Sequence, residues 1–220
     1  MKAMILAAGR GERMRPLTDK TPKPLLEVHK KPLIVWHIEK LASLGFSEIV
    51  INIDHLGDMI QKKLGNGREW GVNLIYSDEQ KSGALESAGG IINALGLLGD
   101  ENFLVVNGDI WCDYKFENNF DLKDDLAHLI LVPNPQHNPH GDFALHNGKV
   151  INDAEQKFTF SGIGYYSVKF FDNLECKKTP LAPLLRETAQ NGKVGGSLYE
   201  GRWHDIGTPQ RLAEANSIFV

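Results

Sequence analysis

Residues 3–16 read AMILAAGRGERMRP, a short apolar run followed by a loop that contains two glycines and three arginines. The first four residues form a continuous apolar run, which is typical of a central parallel strand that is buried on both faces. Alanines and glycines follow directly, and residues without bulky side chains let the backbone approach a ligand closely. We therefore predict a buried first strand that ends in a ligand-binding loop.

The same alternation of apolar runs and helical patterns continues through the first half of the chain. Further strands are predicted at residues 48–53, 72–76 and 103–106, and helices at residues 32–45, 58–64 and 88–98. A β-α-β-α order implies a largely parallel sheet with helices on both faces. Ligands of such sheets bind at the carboxyl ends of the strands. We therefore expect the ligand-binding site to be formed by the loops at residues 7–21 and 107–113.

The second half of the chain has a less regular pattern. Strands are predicted at residues 129–132, 142–145, 149–151, 158–166 and 194–199, with Asn147-Gly148 as a hairpin turn. Thr179-Pro180 and Thr208-Pro209 each have the composition of a helix start. No linker rich in Pro, Gly or Ser separates the halves, so we predict one α/β domain over residues 1–220 with a small antiparallel part.

Composition and charge exclude several classes of protein. The chain has 220 residues, of which 28 are Asp or Glu and 24 are Lys or Arg, and its net charge of −4 disfavours generic nucleic-acid binding. Cys112 and Cys176 are far apart, so neither a zinc finger nor a disulfide scaffold is indicated, which fits a reducing compartment. No apolar run approaches the roughly 18 residues of a membrane span, and the N-terminal run stops too early for a secretory signal. We expect a cytoplasmic protein without nucleic-acid or membrane partners.

The glycine loop has the composition of an anion site. Gly9 and Gly11 allow backbone N–H groups to form a nest that binds phosphate. Arg10, Arg13 and Arg15 add positive charge, and guanidinium groups make bidentate contacts with phosphate. An ordinary tight turn is the alternative explanation for the glycines, and the three arginines disfavour it.

Two common phosphate motifs do not fit this loop. The GxGxxG pattern fails because Met14 stands where the third glycine is required, and the P-loop fails because no GK[ST] follows. Lys23 lies between Pro22 and Pro24, which restrict the backbone on both sides. A lysine held in this way near a phosphate-binding loop can pair with a phosphate oxygen, with a solvated loop charge as the alternative.

Residues 6–18, LAAGRGERMRPLT, and residues 22–28, PKPLLEV, together resemble the N-terminal pattern of the sugar-1-phosphate nucleotidyltransferases. In that family the pattern runs G-x-G-T-R-(M/L)-x-P-x-T and then P-K-x-L, and Glu12 replaces the usual Thr here. The resemblance continues through Asn107-Gly108-Asp109 and through WHDIGT at residues 203–208. It implies a Rossmann-like (GT-A-like) fold, with a nucleotide-binding half at about residues 1–110 and a sugar-binding half at about residues 111–220.

The resemblance also implies a reaction and its small-molecule partners. A nucleoside triphosphate and a sugar 1-phosphate give a nucleoside diphosphate sugar and pyrophosphate, and the sugar phosphate oxygen attacks the α-phosphorus in line. No protein nucleophile takes part. Positioning and charge stabilisation are therefore expected to carry the catalysis.

Four residues take catalytic roles by this resemblance. Arg13 is expected to hold the leaving phosphates, and Lys23 to lie between the sugar phosphate and the α-phosphate. Asp109 and Asp205 are expected to bind Mg²⁺, a hard cation that prefers carboxylate and phosphate oxygens. The alternative for Asp205 is a helix N-terminal charge beside Thr208-Pro209. Backbone groups of the loop are expected to line the nucleotide at Ala7, Ala8, Gly9 and Gly11.

Residues 83–89, GALESAG, resemble the base-recognition loop of the family, L-G-T-A, with Glu86 and Ser87 in place of Gly and Thr. Both residues are expected to lie against the nucleotide, and Gln80 or Glu79 to reach the edge of the base. A turn followed by a helix start, with Ser87 as the N-cap, is the alternative.

Sugar contacts are also expected from the resemblance. Gly141-Asp142 and the strand that contains Gly162 fall where the family contacts the sugar, and Asn107 and Asp142 are candidates for hydrogen bonds to it. A loop and an ordinary strand are the alternatives. Arg202 is a candidate for binding an acidic sugar, with an ordinary surface arginine as the alternative. His137 and His140 lack a matching cluster of ligands, so we expect solvated loop histidines rather than a metal pair.

The residue pattern within the family indicates the substrates. The chain ends soon after the WHDIGT segment, and this short form most resembles the members that take UTP and N-acetylmuramate 1-phosphate. GTP with mannose 1-phosphate, or a thymidylyl or uridylyl transfer to glucose 1-phosphate, are the alternatives. A non-catalytic sugar-nucleotide sensor and a nucleotide-sugar-dependent glycosyltransferase are different classes with a similar fold, but Arg13 and Lys23 together favour a triphosphate substrate and turnover. The oligomeric state is left open, with a monomer favoured.

Overall fold

The computed structural model describes residues 1–80, 83 and 85–218. Its strands are β1 (Lys2–Leu6), β2 (Glu27–Val28), β3 (Lys31–Pro32), β4 (Glu48–Ile53), β5 (Asn73–Asp78), β6 (Phe103–Asn107), β7 (Ile110–Cys112), β8 (Ala127–Val132), β9 (Ala144–His146), β10 (Lys149–Ile151), β11 (Thr159–Tyr166), β12 (Val194–Leu198) and β13 (Trp203–Asp205). Its helices are α1 (Leu33–Ser43), α2 (Gly57–Leu64), α3 (Glu86–Leu98), α4 (Leu181–Gln190) and α5 (Pro209–Ile218). In the described part of the chain, none of the helices has the length and apolar character that crossing a membrane requires.

Within these residues nine strands form one mixed sheet, in the order β5-β4-β1-β6-β11-β8-β12-β10-β9. The strands of the first half pair in parallel, with β1 between β4 and β6, so that Met4 lies opposite both Val50 and Val105. Antiparallel β11 joins β6 and carries the sheet into the second half of the chain. The predicted α/β class with an antiparallel part is therefore confirmed, and the division into a nucleotide half and a sugar half stays a prediction.

Alternate side chains of the central strands pack into two separate cores. Ile5 packs in a cluster that contains Ile38 of α1, whereas its neighbour Met4 packs in a second cluster with Ile91 of α3 and Leu185 of α4. Neither strand residue has exposed surface, and burying a side chain of this size stabilises the fold by about 1.5–3 kcal/mol. Helices on both faces follow from the two-residue period of a strand that is apolar throughout.

The starts of α3 and α4 differ from the prediction. Leu85 precedes the first residue of α3, so Ser87 is not its N-cap. The peptide groups of Thr179 explain this start, because its carbonyl accepts two N–H groups from the first turn of α3 and its amide donates to the carbonyl of Leu85. Thr179 is thus engaged with α3, and α4 begins only at Leu181.

The carboxyl edge of the parallel strands brings distant segments together. Leu6 at the end of β1 pairs with Asn107 at the end of β6, so the loops that follow both strands leave the sheet side by side. β7 pairs antiparallel with β13, and the amide of Ile206 donates to the carbonyl of Asp109 at 2.8 Å. The segments that carry the glycine loop, Asp109 and Asp205 therefore share one edge.

Candidate active site

A cavity of about 380 Å³ opens at this carboxyl edge. Most of the residues predicted to form the site lie in its wall, namely Ala7, Ala8, Gly9, Gly11, Arg13, Lys23, Glu86, Ser87, Asn107 and Asp109. The wall also contains Asn52, Glu79 and Gly207. The fold therefore brings the glycine loop, the turn after it, the start of α3 and the end of β6 around one space.

The glycine loop is anchored in the core at Met14, which has no exposed surface. The amide of Met14 donates to the carbonyl of Gly11 at 2.8 Å, and the hydroxyl of Thr18 donates to the same carbonyl at 2.9 Å. Gly11 has a φ of +64°, and a Cβ there would lie 2.9 Å from the Thr18 side chain, so glycine is required. This anchoring holds the backbone at Gly9 in the cavity wall, with Arg13 beside it.

A lysine and a carboxylate form the charged part of the wall. Lys23 Nζ lies 2.6 Å from Asp109 Oδ2, and the Lys23 side chain is only 10% exposed. Lys23 sits in a 3₁₀ turn, Lys23–Leu25, with Pro22 directly before it, and the amide of Leu25 closes this turn on the carbonyl of Pro22 at 2.8 Å. Because a cation this deeply buried needs an anionic partner, a phosphate that enters the cavity competes with Asp109 for the ammonium group.

Two hydrogen-bonded polar side chains line the inner part of the cavity. Asn52 Oδ1 accepts the amide of Ala7 at 2.7 Å, and Asn52 Nδ2 donates to Glu79 Oε1 at 2.7 Å. The other carboxylate oxygen of Glu79 accepts the amide of Leu85 at 3.1 Å. Burial raises the pKa of the Glu79 carboxyl, while these two hydrogen bonds act to lower it. The Asn52–Glu79 pair ties the glycine loop to the start of α3.

Sequence reasoning did not single out Asn52, although a polar residue inside the apolar run EIVINI was the available signal. The structure also does not bring Gln80 to the cavity. Gln80 is exposed, and its Nε2 would lie 3.1 Å from a Cβ at Gly57, at the start of α2. Glu79, the alternative candidate for the edge of the base, occupies the cavity wall instead.

Glu86 has a backbone conformation that favours glycine. Its φ is +60°, and the family pattern carries glycine at the corresponding position. A left-handed conformation costs an ordinary residue about 1–2 kcal/mol, and such strain is often found at functional sites. The Glu86 carboxylate lies 3.5 Å from Lys178 Nζ, in an ion pair at the surface.

Asp205 lies outside the wall of the cavity and is held by Arg211 and His137. Its Oδ2 lies 2.5 Å from Arg211 NH1 and 3.1 Å from His137 Nε2. Its Oδ1 lies on the side of Gly207, 2.9 Å from where a Cβ of that glycine would sit. His137 and His140 are both exposed, as expected for loop histidines. His137 also contacts Asp205 and Arg211, which the sequence did not predict.

The four residues expected to contact the sugar fall into two groups. Asn107 lines the cavity. Gly162 packs against the Asn107 side chain, since a Cβ at Gly162 would lie 2.6 Å from Asn107 Nδ2. Asp142 and Arg202 lie outside the wall. Asp142 Oδ2 accepts a backbone amide of β11 at 2.8 Å. The Arg202 side chain is 63% exposed, and its Nε donates to Asp113 Oδ2 at 3.1 Å.

Asp109 lines the cavity and Asp205 lies outside its wall, and these are the two carboxylates that the family resemblance assigns to a divalent cation. In the described parts of the chain, no three His, Cys, Asp or Glu residues are grouped so that they could hold a metal by themselves. Mg²⁺ commonly takes one or two carboxylates and completes its shell with water and substrate phosphates. The hydrogen bond between the Ile206 amide and the Asp109 carbonyl keeps the two carboxylate-bearing segments adjacent. These oxygen donors therefore suit a cation that arrives with a triphosphate.

The chain belongs to the nucleotidyl transferase family, whose family model matches residues 2–219. The fold agrees with this assignment. It is similar to the crystal structure of a putative glucose-1-phosphate thymidylyltransferase from Bacillus anthracis, with a TM-score of 0.85 and 25% identity over 99% of this chain and 94% of that one. The family and fold that the sequence predicts are thereby confirmed.

Relatives within the family differ in the sugar and the base that their names give. The N-acetylmuramate alpha-1-phosphate uridylyltransferase of Neisseria meningitidis serogroup B is 50% identical over 99% of this chain and 98% of its own length. The mannose-1-phosphate guanyltransferase beta-A of Xenopus laevis is 28% identical over 96% of this chain and 62% of its own length. The UTP–glucose-1-phosphate uridylyltransferase of Synechocystis is 34% identical over 71% of this chain and 42% of its own length. This chain thus spans less than two thirds of the latter two relatives.

Proposed function

We propose that this chain transfers a uridylyl group from UTP to N-acetylmuramate 1-phosphate, giving UDP-N-acetylmuramate and pyrophosphate. The observation that carries the reaction class is the Lys23–Asp109 ion pair in the wall of the cavity that the glycine loop encloses. The choice of sugar and base rests on the Neisseria relative, which matches nearly the whole chain. The product is a peptidoglycan precursor, so the reaction fits the recycling of cell-wall sugars in the cytoplasm.

Catalysis in this proposal comes from placing two anions side by side. An oxygen of the sugar phosphate attacks the α-phosphorus, and the bond from that phosphorus to the β-phosphate oxygen breaks on the opposite side. The ammonium group of Lys23 neutralises the approach of the two phosphates. Arg13 stabilises the charge that develops on the leaving pyrophosphate, and backbone amides at Ala8 and Gly9 hold the triphosphate.

Asp109 and Asp205 are the residues that would hold Mg²⁺. When bound, the cation supplies charge neutralisation at the phosphate oxygens. Before substrates arrive, Lys23 holds the carboxylate of Asp109 in place, and Arg211 holds that of Asp205. Both carboxylates are thus oriented by the protein's own cations.

Selection of the base is assigned to the Asn52–Glu79 pair and to the start of α3. Uracil presents one N–H donor between two carbonyl acceptors, and a carboxylate oxygen of Glu79 can accept that donor. The first amides of a helix have no partner within the helix. In α3 the third and fourth of these amides donate to Thr179. Among the residues that the structure describes, the amides of Glu86 and Ser87 have no such acceptor, and these two residues of the cavity wall are assigned to a carbonyl of the base.

A substrate panel tests this proposal. UTP, GTP and TTP are each combined with N-acetylmuramate 1-phosphate, mannose 1-phosphate and glucose 1-phosphate in the presence of Mg²⁺, and the release of pyrophosphate is measured. We expect the highest kcat/KM for UTP with N-acetylmuramate 1-phosphate, and no turnover after chelation of divalent cations. Preference for another pair would overturn the substrate assignment. Binding of a nucleotide sugar without release of pyrophosphate from any pair would instead indicate a sensor.

A further inference from the structure

Two basic side chains from separate parts of the second half converge on Asp205. Arg211 lies in the first turn of α5, and His137 lies in the segment between β8 and β9. Arg211 NH1 lies 2.5 Å from Asp205 Oδ2 and 2.9 Å from His137 Nε2. The side chain of Arg211 is only 16% exposed. One carboxylate is therefore shared by a largely buried guanidinium group and an imidazole.

The guanidinium group lies directly behind a part of the cavity wall that has no side chain. Arg211 Nε and the amide of Arg211 both point to the hydroxyl of Thr208, at 3.4 and 3.3 Å, which fixes the direction of the side chain. A Cβ at Gly207 would lie 2.4 Å from Arg211 NH2. Gly207 lines the cavity, so its lack of a side chain is what allows the guanidinium group to reach this position.

We propose that Arg211, with His137 beside it, recognises an acidic group on the sugar 1-phosphate. The inference rests on the proposed function, in which that group is the carboxylate of the lactyl ether of N-acetylmuramate. A guanidinium group presents a planar fork of donors that matches a carboxylate, and Arg211 offers it next to the cavity. This is a specificity-determining role for the sugar, separate from the chemistry at the phosphates.

The balance of charge around Asp205 supports this role. In the proposed reaction Asp205 shares its negative charge with a divalent cation, and a largely buried guanidinium group then needs a second anion, because an unpaired buried charge is strongly unfavourable. The carboxylate of the sugar is that second anion. Neither arginine lines the cavity, but Arg211 lies behind Gly207 of its wall and its side chain is only 16% exposed, whereas the Arg202 side chain is 63% exposed and is paired with Asp113.

A purely structural role for Arg211 makes a different prediction. If Arg211 served only to orient Asp205, its loss would impair every sugar 1-phosphate equally, because Asp205 is assigned to the phosphates and not to the sugar ring. If Arg211 also recognises the acidic group, its loss impairs the sugars that carry that group more than the sugars that lack it. N-acetylglucosamine 1-phosphate lacks only the lactyl ether and therefore distinguishes the two roles.

The test compares kcat/KM for N-acetylmuramate 1-phosphate and N-acetylglucosamine 1-phosphate, with UTP and Mg²⁺, in the wild-type protein and the variants Arg211→Gln and Arg211→Lys. Because Arg211 also orients Asp205, we expect Arg211→Gln to lower kcat for both sugars by a common factor. We further expect it to lower kcat/KM for the acidic sugar by an additional factor of about 10–100, mainly through KM, as for a lost charge-assisted hydrogen bond. Arg211→Lys should restore part of the loss, because it keeps the charge without the fork. The matched control is Arg68→Gln, at an exposed arginine that does not line the cavity.

Calorimetry supplies a second readout that needs no turnover. The dissociation constant of N-acetylmuramate 1-phosphate is compared with that of its neutral lactyl amide, and we expect wild type to prefer the acid and Arg211→Gln to bind both equally. Equal losses for both sugars, or an unchanged preference for the acid in Arg211→Gln, would overturn the inference. Wild-type protein that releases no pyrophosphate from UTP and N-acetylmuramate 1-phosphate would instead overturn the proposed function, while calorimetry would still report on Arg211.

Discussion

Lys23 Nζ and Asp109 Oδ2 lie 2.6 Å apart although the two residues are 86 positions apart in the chain. The lysine belongs to the turn that follows the glycine loop, and the aspartate follows β6. Parallel pairing of β1 with β6 places the carboxyl ends of these two strands side by side. The ion pair therefore depends on the pairing of β1 with β6. The charge arrangement of the site is thus a direct product of the strand order.

Replacing Lys23 by alanine tests its role at the phosphates. We expect Lys23→Ala to lower kcat by roughly 10²–10³-fold, as for removal of a preorganised electrostatic group, with folding retained by circular dichroism. Lys20→Ala, at an exposed lysine outside the cavity wall, is the matched control and should keep wild-type turnover. Near-normal turnover of Lys23→Ala would refute the assigned role.

Replacing Asn52 by alanine tests the link between the glycine loop and the start of α3. The change leaves the buried amide of Ala7 and one oxygen of Glu79 without their hydrogen-bond partner. We expect the free energy of unfolding to fall by about 1–3 kcal/mol and the KM for UTP to rise, measured by urea denaturation and initial rates. Asn73→Ala, at an exposed position of β5, should change neither quantity appreciably. An unaltered KM would show that Asn52 serves stability alone.

Two glycines of α3 give opposite predictions for the same substitution. A Cβ at Gly90 would lie 2.6 Å from Glu79 Oε1 and 2.9 Å from Asn52 Nδ2, whereas a Cβ at Gly96 meets nothing within 4 Å. We expect Gly90→Ala to destabilise the protein by about 1–3 kcal/mol through overpacking, and Gly96→Ala to stabilise it by up to about 1 kcal/mol through helix propensity. Thermal unfolding measures both, and similar Tm values for the two variants would contradict the close approach of α3 to Glu79.

A buried histidine makes stability depend on pH. Burial lowers the pKa of His37 from 6.5 to about 4, and His37 Nε2 donates to the carbonyl of Ile110 at 2.8 Å. Between these two pH values the unfolded chain binds a proton at His37 and the folded chain does not, so the stability present above pH 6.5 falls as the pH drops toward 4. The free energy of unfolding falls by an amount on the order of 3 kcal/mol over this pH range.

The variant His37→Gln isolates this effect, because glutamine keeps a donor for the carbonyl of Ile110 without the titration. We expect urea denaturation at a series of pH values to show a shallower decline for His37→Gln than for wild type between pH 6.5 and 4. His55→Gln, at an exposed histidine, serves as the control and should follow the wild-type curve. Parallel curves for wild type and His37→Gln would rule out a buried neutral imidazole.

Local patterns were sufficient for the parts of the fold that depend on local physics. The mostly apolar run EIVINI at residues 48–53 predicted the bounds of β4, and the Asn147-Gly148 turn placed β10 at Lys149–Ile151. Lys23 and Asp109 were expected in one site by resemblance, and the structure brings them into contact. Strand periodicity and turn chemistry act over a few residues, so the sequence displays them directly.

Contacts between distant segments were the part that the sequence did not display. Arg211 and His137 are 74 positions apart, and nothing in the local pattern around His137 indicates a partner. The sequence also did not decide whether Glu79 or Gln80 reaches the edge of the base, and here the reason is the geometry of a strand end. Neighbouring residues at the end of a strand point to opposite sides, so a shift of one position moves a side chain from the cavity to the surface.

The pairing of β7 with β13 has a consequence for synthesis of the protein. β13 lies on the order of a hundred residues after β7, and contacts of such long sequence separation form late because the intervening chain must first be closed into a loop. Asp205 sits at the end of β13, opposite Ile110. A ribosome-bound chain that has not yet released residues 203–205 therefore lacks one side of the site, however well its first half has folded. The pairing of β13 with β7, and with it the position of Asp205 opposite Ile110, is therefore completed only after residues 203–205 have been synthesised.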